Sequence, residues 1–577
     1  MASDMPGQGA YEVNIYEAYP PLFWILLSIA LTSGFITVFS DIFSAGKLCI
    51  WVYGLLLIVL VNIFVLSLPY LRDYAFTGQW DDVNHFGYAT SIAEYERPDP
   101  QNFYPVSHLL AVAFSQITGL DLQVTIMLFP MLFYLVYLAN TAFAAWTIDT
   151  SLRVRVLILT LASPLVFHTY STIFRPTYFS VCMFPLVVGW IYQTRLQRRV
   201  WLDSIPFILL LVFLPFLHPW AVISTAIITF AFGISFVLER TRRLWGNSGL
   251  FLTPVMILGI TWLTWFTTFQ IFGATLQRLL LSFTSSLTGA HSLADYVDKA
   301  QQAELQLNRI SSLFIYTYGP TSLYLGFAGV AIMWAVIQIV RHRRRVPEYV
   351  LALSLFIVVF ATIAGLSLFR DLVTASPLRI SNFAIAGVPL LVGALFYGFS
   401  SGHQVVSTTV TKKHLFRVIL PIMLVSASIV GIFTVYFSPL VGQPNHQLSY
   451  AQQAGIEFLV EKAAKDDKNI YTPFKGAFTL AAALNADELN LLRQNSPRWW
   501  IQLAPAHFGY ELDELDIQFE NPGYLWVTAH ERAYYTEVWP EGGRFTPQDF
   551  RRLGMDSDWH QIYTSGDLTI WRRASGE

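Results

Sequence analysis

Residues 80–88, Trp-Asp-Asp-Val-Asn-His-Phe-Gly-Tyr, place two adjacent carboxylates and a histidine in a polar stretch between two long apolar segments. The apolar segment before this stretch covers 48–68, and the next long one begins at residue 122. A polar stretch between segments long enough to cross a bilayer is expected to be a loop at the membrane surface. The side of the membrane on which this loop lies therefore decides where its chemistry takes place.

The composition is that of a polytopic membrane protein. Of the 577 residues, 54% are hydrophobic and only 13% are charged, which is unusual for a soluble domain. Cys49 and Cys182 both lie in apolar runs, so they suggest neither a disulfide framework nor a thiolate metal site. The first apolar run, 20–39, is too long for the core of a cleavable signal peptide and has no basic flank before it.

Twelve segments are apolar and long enough to be predicted as membrane spans, for which about 20 residues are needed. They cover 20–39, 48–68, 122–147, 154–170, 177–194, 203–217, 220–238, 250–272, 313–340, 349–369, 379–399 and 415–438. A further segment, 103–119, is apolar but short, and it contains His108, Ser115 and Gln116. We predict that it forms a helix on the membrane surface.

The distribution of basic residues favours this arrangement. If 103–119 does not span, one face collects 16 of the 24 basic residues that precede residue 441, and the other face receives eight isolated ones. Basic residues are concentrated in cytoplasmic loops. The loops 69–121 and 273–312 and the C-terminal region are therefore predicted to lie on the extracytoplasmic side.

The sequence divides into a membrane domain, 1–440, and an acidic C-terminal domain, 441–577, with 12 basic and 19 acidic residues. In the second, 450–465 has helical periodicity. Three short segments have the composition of strands, namely 469–472, 524–528 and 568–571. We predict a small α/β domain outside the membrane, attached to an α-helical polytopic membrane protein.

Charged residues are nearly absent from the interiors of the predicted spans and gather at their outer ends. Intramembrane charge is typical of ion and proton pathways, so this pattern argues against a coupled transporter. We call the outer ends of the spans, with the loops beside them, the outer rim. It contains Asp81, Asp82, His85, His168, His218, Arg175, Arg370, Asp371 and Arg379. A carboxylate can accept the proton of a hydroxyl as a general base, and guanidinium groups can hold a phosphate bidentately. Such a rim suits group transfer from a lipid-borne phosphate donor.

Residues 80–89, Trp-Asp-Asp-Val-Asn-His-Phe-Gly-Tyr-Ala, resemble the acidic pair and the His-Phe-Gly of protein O-mannosyltransferases. More broadly, they are similar to the first-loop acidic motif of the GT-C superfamily of membrane glycosyltransferases. Further similarities are Phe103-Tyr104-Pro105-x-x-His108, His218-Pro219, Leu378-Arg379-Ile380 and the C-terminal Ser565-Gly566-Asp567-Leu568-Thr569-Ile570-Trp571, which resembles the outer domain of archaeal members. The chain has Asp-Asp where mannosyltransferases have Asp-Glu, and Asn84 precedes its His-Phe-Gly. The resemblance therefore indicates the superfamily.

This resemblance implies a GT-C fold of about twelve transmembrane helices and transfer of a sugar from dolichyl or polyprenyl phosphate to an acceptor hydroxyl, with inversion. Mannose is the first expectation for the sugar, and the acceptor is expected to be a protein- or lipid-linked glycan, as in archaeal protein glycosylation at the cell surface. Asp81 matches the catalytic base and Asp82 the second acidic position. Arg379 matches the late arginine that is expected to contact the lipid phosphate. Arg175, at the outer end of another span, is a second candidate for this contact by its position.

Position on the rim adds His85 and His218 as candidate substrate-binding residues, and the resemblance of 103–108 adds His108. No cofactor is required by this scheme, although some GT-C relatives use a divalent cation. The second acidic pair near a span end is Asp295 with Asp298, and no metal site is predicted. Membrane lipids are expected partners, and nucleic acid is not.

Simpler interpretations stay open. Asp81 and Asp82 are good N-cap residues for a helix that begins there, and His85 lies four residues after Asp81, where the two can pair on one helical face. Arg175 and Arg379 are long enough to reach the interface from a span end. For the whole chain, the alternatives are a flippase or transporter of lipid phosphates or lipid-linked sugars, and a membrane-anchored scaffold without catalysis.

Overall fold

The computed structural model describes residues 10–44, 49–79, 81–196, 205–240, 249–269, 273, 277, 305–341, 346–369, 377–400, 410–466, 469–472, 502–503, 523–542 and 545–573. Most of this part of the chain is helical. The statements below concern these residues.

The long apolar helices follow the predicted spans. Up to residue 266 the elements are α1 Pro21–Phe43, α2 Trp51–Leu66, α3 Leu68–Leu71, β1 Phe76–Thr77, α4 Asp81–Tyr95, α5 Val106–Thr118, α6 Leu122–Ile148, α7 Leu152–Ala162, α8 Pro176–Leu196, α9 Ile205–Leu217, α10 Pro219–Arg240 and α11 Gly249–Phe266. They are followed by α12 Leu307–Val340, α13 Glu348–Phe369, α14 Pro377–Ser400 and α15 Val410–Ile432. Five of the described helices are long and apolar enough to cross a membrane by length and composition, and several shorter apolar helices accompany them. The predicted class, a helical multi-pass membrane protein, is confirmed.

The ambiguous segment 103–119 contains α5, a helix of 13 residues. At 1.5 Å per residue this helix is about 20 Å long, shorter than the ~30 Å hydrocarbon core. It ends at Gly119, whose φ of +71° favours glycine and whose N–H bonds the carbonyl of Ser115 at 2.8 Å. Its length fits the surface helix that the sequence predicts.

Helix α7 is shorter than the predicted span 154–170. The helix ends at Ala162, two residues before Pro164, because proline has no N–H to donate the next helical bond and its ring clashes with the preceding turn. The chain continues as an irregular segment and a 3₁₀ turn, His168–Thr172. The sequence signal for a continuous span was apolarity, which the irregular segment shares.

The break leaves backbone carbonyls that no helical N–H can reach, and side chains from three neighbouring helices bond them. The carbonyl of Leu161 accepts the Tyr324 hydroxyl at 2.5 Å. The carbonyl of Ser163 accepts both the Tyr134 hydroxyl and the Asn62 amide at 2.8 Å. Irregular backbone at membrane depth requires such internal partners. The break thereby allows 168–175 to fold inward at one end of the bundle.

The loop between α1 and α2 and the start of α7 meet at one end of the bundle. At one end, Arg153 donates to the carbonyl of Ser44 at 2.8 Å, and the carboxylate of Asp41 accepts the backbone N–H groups of Ile50 and Trp51 at 2.9 Å. These contacts join the loops that the basic residues assign to the cytoplasm. The C-terminal domain packs at the opposite end, which we call the rim.

The C-terminal region forms a mixed sheet with helices beside it. Its elements are β2 Gln447–Leu448, α16 Tyr450–Asp466, β3 Asn469–Thr472, β4 Gln502–Leu503, β5 Gly523–Thr528, α17 Ala529–Ala533, α18 Pro547–Leu553, β6 Trp559–Thr564 and β7 Leu568–Arg573. The strand order is β4-β3-β5-β7-β6, with β3 parallel to both neighbours and the remaining pairs antiparallel. The predicted helix and three predicted strands are confirmed. Strand β6 was missed because it lies at the sheet edge and mostly exposes its side chains, so it lacks an apolar pattern.

The polar loop after α3 is attached to this C-terminal region. Strand β1 pairs antiparallel with β2, with Phe76 opposite Leu448. The N–H of Gly78 then donates to the carbonyl of His446 at 2.8 Å. Because these pairs lie directly before α4, the C-terminal region holds the start of the helix that carries the two acidic residues.

Helices α1 and α2 pack through two glycines. A Cβ atom built on Gly54 would lie 2.6 Å from the carbonyl oxygen of Gly34, and one built on Gly34 would lie 2.9 Å from that of Gly54. Small residues allow such close approach of helices in membranes. We expect Gly54→Ala to separate the helices and to lower the free energy of unfolding by about 1–3 kcal/mol.

Gly329→Ala is the matched control, because a Cβ atom there meets nothing within 4 Å. Thermal unfolding in detergent checks the pair. Equal midpoints for the two variants would contradict the packing argument.

Candidate active site

Asp82 lies one residue inside α4, and its side chain is fully buried. Its carboxylate forms a bidentate ion pair with Arg175: Nε donates to Oδ1, and Nη2 donates to Oδ2 at 3.0 Å. The backbone N–H of Gln79 also approaches Oδ2, at 3.4 Å. Parallel N–H···O bonds between guanidinium and carboxylate are strong and directional. The pair therefore joins the start of α4 to the residue that precedes α8.

Arg175 and Arg379 meet at one aromatic side chain. The guanidinium carbon of Arg175 lies 5.0 Å from the centroid of the Tyr170 ring, within cation–π range. Nε of Arg379, at the first turn of α14, lies 3.5 Å from the Tyr170 hydroxyl. The structure thus brings the two arginines and Asp82 to one place on the rim. Tyr170 was not predicted, and its only sequence signal was its position between His168 and Arg175.

The histidines of the first loop form a buried chain of hydrogen bonds. Nδ1 of His85 lies 3.1 Å from Nε2 of His108, and Nδ1 of His108 lies 3.1 Å from the amide nitrogen of Asn102. All three side chains are at most 4% exposed. Asn102 was missed by sequence reasoning, because an asparagine before an aromatic segment is typical of an ordinary turn.

His218 joins the same cluster through Tyr104. The Tyr104 ring centroid lies 5.0 Å from that of His218 and 6.1 Å from that of His85. Nδ1 of His218 accepts the backbone N–H of Trp220 at 3.2 Å. Nε2 must therefore carry the proton of the neutral ring, and it lies 3.0 Å from the Thr177 hydroxyl.

Burial controls the protonation of His108. It lowers the pKa of His108 well below the usual value, and the neighbouring His85 lowers that pKa further. The His108 ring is therefore neutral at pH 7. His168 adopts a φ of +55° and bonds Thr321 at 2.5 Å, so its described bond is to α12 and not to the chain of histidines.

Several predicted residues lie outside this description. Only the backbone of Asp81 is described, at the first position of α4, so its role stays a prediction. Arg370, Asp371, Asp295 and Asp298 lie outside the described residues.

Within the described residues there is no group of three His, Cys, Asp or Glu side chains that could hold a metal ion. His85 and His108 turn ring nitrogens toward each other at hydrogen-bonding distance. Those two nitrogens therefore do not fit as joint ligands of one ion.

The C-terminal region contributes His446 to the surroundings of the site. Its pKa is lowered by burial, by His530 and by Arg175, and its ring lies 5.4 Å from that of His530. Burial lowers the pKa of His530 to about 3. The interface between membrane helices and C-terminal region is therefore built with neutral imidazoles.

Among solved structures, the chain is similar to ArnT from Cupriavidus metallidurans bound to undecaprenyl phosphate. The two share 10% identity over 91% of this chain and 98% of that chain, with a TM-score of 0.50. The apo state of the same protein gives 11% identity, 90% and 98% coverage and a TM-score of 0.50. The chain has the GT-C fold. No protein-family model and no curated protein sequence matches it.

The GT-C assignment covers both parts of the chain, because a match over 91% of it must extend into 441–577. An oligosaccharyltransferase from Archaeoglobus fulgidus, in complex with Zn and sulfate, aligns at 11% identity over 89% of this chain and 73% of that chain, with a TM-score of 0.47. The GT-C fold that the resemblance of residues 80–89 implies is confirmed. The identity values are too low for the comparison to transfer an activity.

The ion pair between Asp82 and Arg175 can be measured as a coupling energy. We expect Asp82→Asn and Arg175→Gln each to destabilise the protein and the double variant to cost less than the sum, with a coupling of about 1–3 kcal/mol. Thermal unfolding of the parent, both single variants and the double variant supplies the cycle. Additive effects would show that the two side chains do not stabilise each other.

His530 predicts acid lability. Its pKa is lowered from the ordinary 6.5 to about 3, so between these values the unfolded chain binds a proton that the folded chain does not. Stability is therefore lost as the pH falls below 6.5, by about 2 kcal/mol at pH 5. We expect His530→Gln to reduce the difference in thermal midpoint between pH 7.5 and pH 5. The exposed His560→Gln is the matched control; an unchanged difference in both variants would contradict the assignment.

Proposed function

We propose that this protein is a membrane glycosyltransferase that moves a sugar from a polyprenyl phosphate to an acceptor hydroxyl. The observation that carries the proposal is the convergence of Asp82, Arg175 and Arg379 at one end of a GT-C bundle. The two arginines are groups that bind an anion, Asp82 holds one of them in place, and Asp81 at the first position of the same helix is the candidate group for the proton. The GT-C fold supplies the membrane setting in which the phosphate carries a lipid.

The reaction requires one bond to form and one to break. A carboxylate takes the proton of the acceptor hydroxyl, and the oxygen forms a bond to the anomeric carbon. The bond between that carbon and the phosphate oxygen breaks, and the lipid phosphate leaves with the bonding electrons. Attack from the side opposite the phosphate inverts the configuration. Arg175 and Arg379 stabilise the charge that develops on the phosphate.

Asp81 is the better candidate for the base, and Asp82 for positioning Arg175. Both oxygens of Asp82 already accept hydrogen bonds from Arg175, so few lone pairs remain for a substrate proton. Asp81 begins the same helix one residue earlier. Its neighbour's ion pair holds that end of the helix in a defined orientation.

The remaining rim residues suit the binding of substrate. His85 lies in the second turn of α4 beside His108, and Tyr104 connects them with His218. We assign His85 to the sugar, its phosphate or the acceptor, and we assign His108 and His218, whose ring nitrogens bond protein groups, to the support of this site. Their aromatic neighbours provide the apolar walls against which a sugar ring packs.

The finer identity of the substrates is part of this proposal. Undecaprenyl phosphate is bound in the ArnT structure, and a polyprenyl or dolichyl phosphate is the corresponding donor here. Mannose is the first sugar to test, with a protein- or lipid-linked glycan, as in archaeal glycosylation, as acceptor. The parity of the basic loops supports an extracytoplasmic site.

The decisive assay supplies labelled dolichyl-phosphate mannose, and then other lipid-linked sugars, to membranes that contain the full chain. We expect transfer by the parent and a loss of at least about 100-fold in Asp81→Asn, the effect of removing a general base. Glu96→Gln, an exposed carboxylate just beyond the same helix, is the control and should behave as the parent. Unchanged transfer in Asp81→Asn would show that Asp81 is not the general base.

The alternatives give different results in the same membranes. A flippase moves labelled lipid between leaflets without forming a glycosylated product. A scaffold shows neither movement nor product. No transfer by the parent from any lipid-linked sugar would overturn the proposed function.

A further inference from the structure

The hydrogen bonds from Asn102 through His108 to His85 have a defined direction. The amide nitrogen of Asn102 faces Nδ1 of His108 at 3.1 Å. An amide nitrogen can only donate, so Nδ1 must accept, and the proton of the neutral ring lies on Nε2. Nε2 in turn faces Nδ1 of His85 at 3.1 Å. His108 therefore donates to His85, whose own proton must lie on its Nε2.

The orientation of the Asn102 amide is supported by the identity of the group that it leaves without a hydrogen bond. Oδ1 of Asn102 is buried and has no hydrogen-bond partner in the part of the chain that the structure describes. The opposite orientation would leave the NH₂ group there instead. Orphaned buried N–H groups are rarer and more costly than under-satisfied carbonyl oxygens. The observed orientation is thus the less costly one.

The surroundings of His108 maintain this direction. Among the described residues, its hydrogen-bond and ring contacts are with Asn102, His85, Tyr88 and Phe174. None of them carries a charge that would favour an imidazolium ring. Burial, together with His85, lowers the pKa of His108, so the ring stays neutral and can donate from only one nitrogen.

We propose that Asn102 is a positioning residue that selects the Nε2–H tautomer of His85 through His108, so that Nε2 of His85 is a hydrogen-bond donor in the candidate site. His85 then does not serve as a second base, because the nitrogen that could accept, Nδ1, is occupied by His108. The bond from Nε2 goes to an oxygen, on a carboxylate of the site or on a substrate. This inference rests on the proposed function of the site, since His85 lies four residues after the candidate base.

The test reverses the direction of these hydrogen bonds without changing the size of the side chain at position 102. In Asn102→Asp at pH 8, an ionised carboxylate can only accept, so a neutral His108 ring must donate from Nδ1, accept at Nε2 and turn the His85 proton to Nδ1. A His108 ring that the carboxylate keeps doubly protonated is identified by N–H signals at both of its nitrogens. Asn102→Ala removes the constraint and leaves His85 free to adopt either tautomer. We expect kcat for sugar transfer at pH 8 to fall about tenfold further in Asn102→Asp than in Asn102→Ala. KM for the lipid donor is expected to change little in either variant.

A merely structural role predicts the opposite order, because Asp matches the shape of Asn and Ala leaves a cavity. Asn102→Asp as active as, or more active than, Asn102→Ala would therefore overturn the inference. Thermal unfolding of both variants identifies a loss that comes from misfolding.

Nitrogen NMR of histidine-labelled full chain in lipid bilayers tests the inference without any assay of transfer. With assignments from His85→Gln and His108→Gln, the parent is expected to show the Nε2–H tautomer at both rings. Asn102→Asp is expected to show Nδ1–H at His85. A parent with the Nδ1–H tautomer at either ring would overturn the inference, even if the variants fail to fold.

Failure of the proposed function and failure of the role of Asn102 give different results. A parent that transfers no sugar but shows the expected tautomers removes the proposed function and leaves the direction of the hydrogen bonds intact. A parent that transfers sugar but shows the other tautomer removes only the role of Asn102.

Discussion

The buried ion pair between Asp82 and Arg175 is the interaction on which the arrangement of the rim depends. It joins α4, which follows a polar loop, to the residue before α8, which follows the break in α7. A carboxylate with no exposure to solvent is stable only when its hydrogen-bonding capacity is met. The guanidinium group meets it, and by doing so it also directs Arg175 across Tyr170 toward Arg379.

Two features of the backbone allow this pair to form. The break at Pro164 ends α7 early, and the hydroxyl and amide groups of neighbouring helices bond the carbonyls that the break exposes. The segment that carries Tyr170 and Arg175 can therefore turn inward. On the other side, the pairing of β1 with β2 and the bond from Gly78 to His446 hold the start of α4. The C-terminal region thus acts on the site through the backbone of the first loop.

The sequence allowed the charged residues of the candidate site to be predicted. Two acids and several isolated arginines at span ends are unusual in an apolar chain. The number of spans that collects the basic loops on one side of the membrane predicts that these residues lie together on the other side. Tyr170 and Asn102 gave no such signal, because a tyrosine among span residues and an asparagine in a turn are common. Their contribution depends on which groups lie within hydrogen-bonding distance, and this distance is set by residues far away in the chain.

The amino-acid sequence by itself determined the class of this protein, the number of apolar segments and the grouping of acidic and basic residues at one end, because hydrophobicity and charge act residue by residue. It also determined α16 and the strands β3, β5 and β7 of the C-terminal region, because their residue patterns are local. Only the tertiary structure decided that Asp82 is the acid paired with Arg175, that α7 stops short of a full span, and that His85, His108 and Asn102 form one directed chain. Those outcomes depend on contacts between segments distant in sequence, where packing and the satisfaction of buried polar groups select one partner from several that the sequence permits.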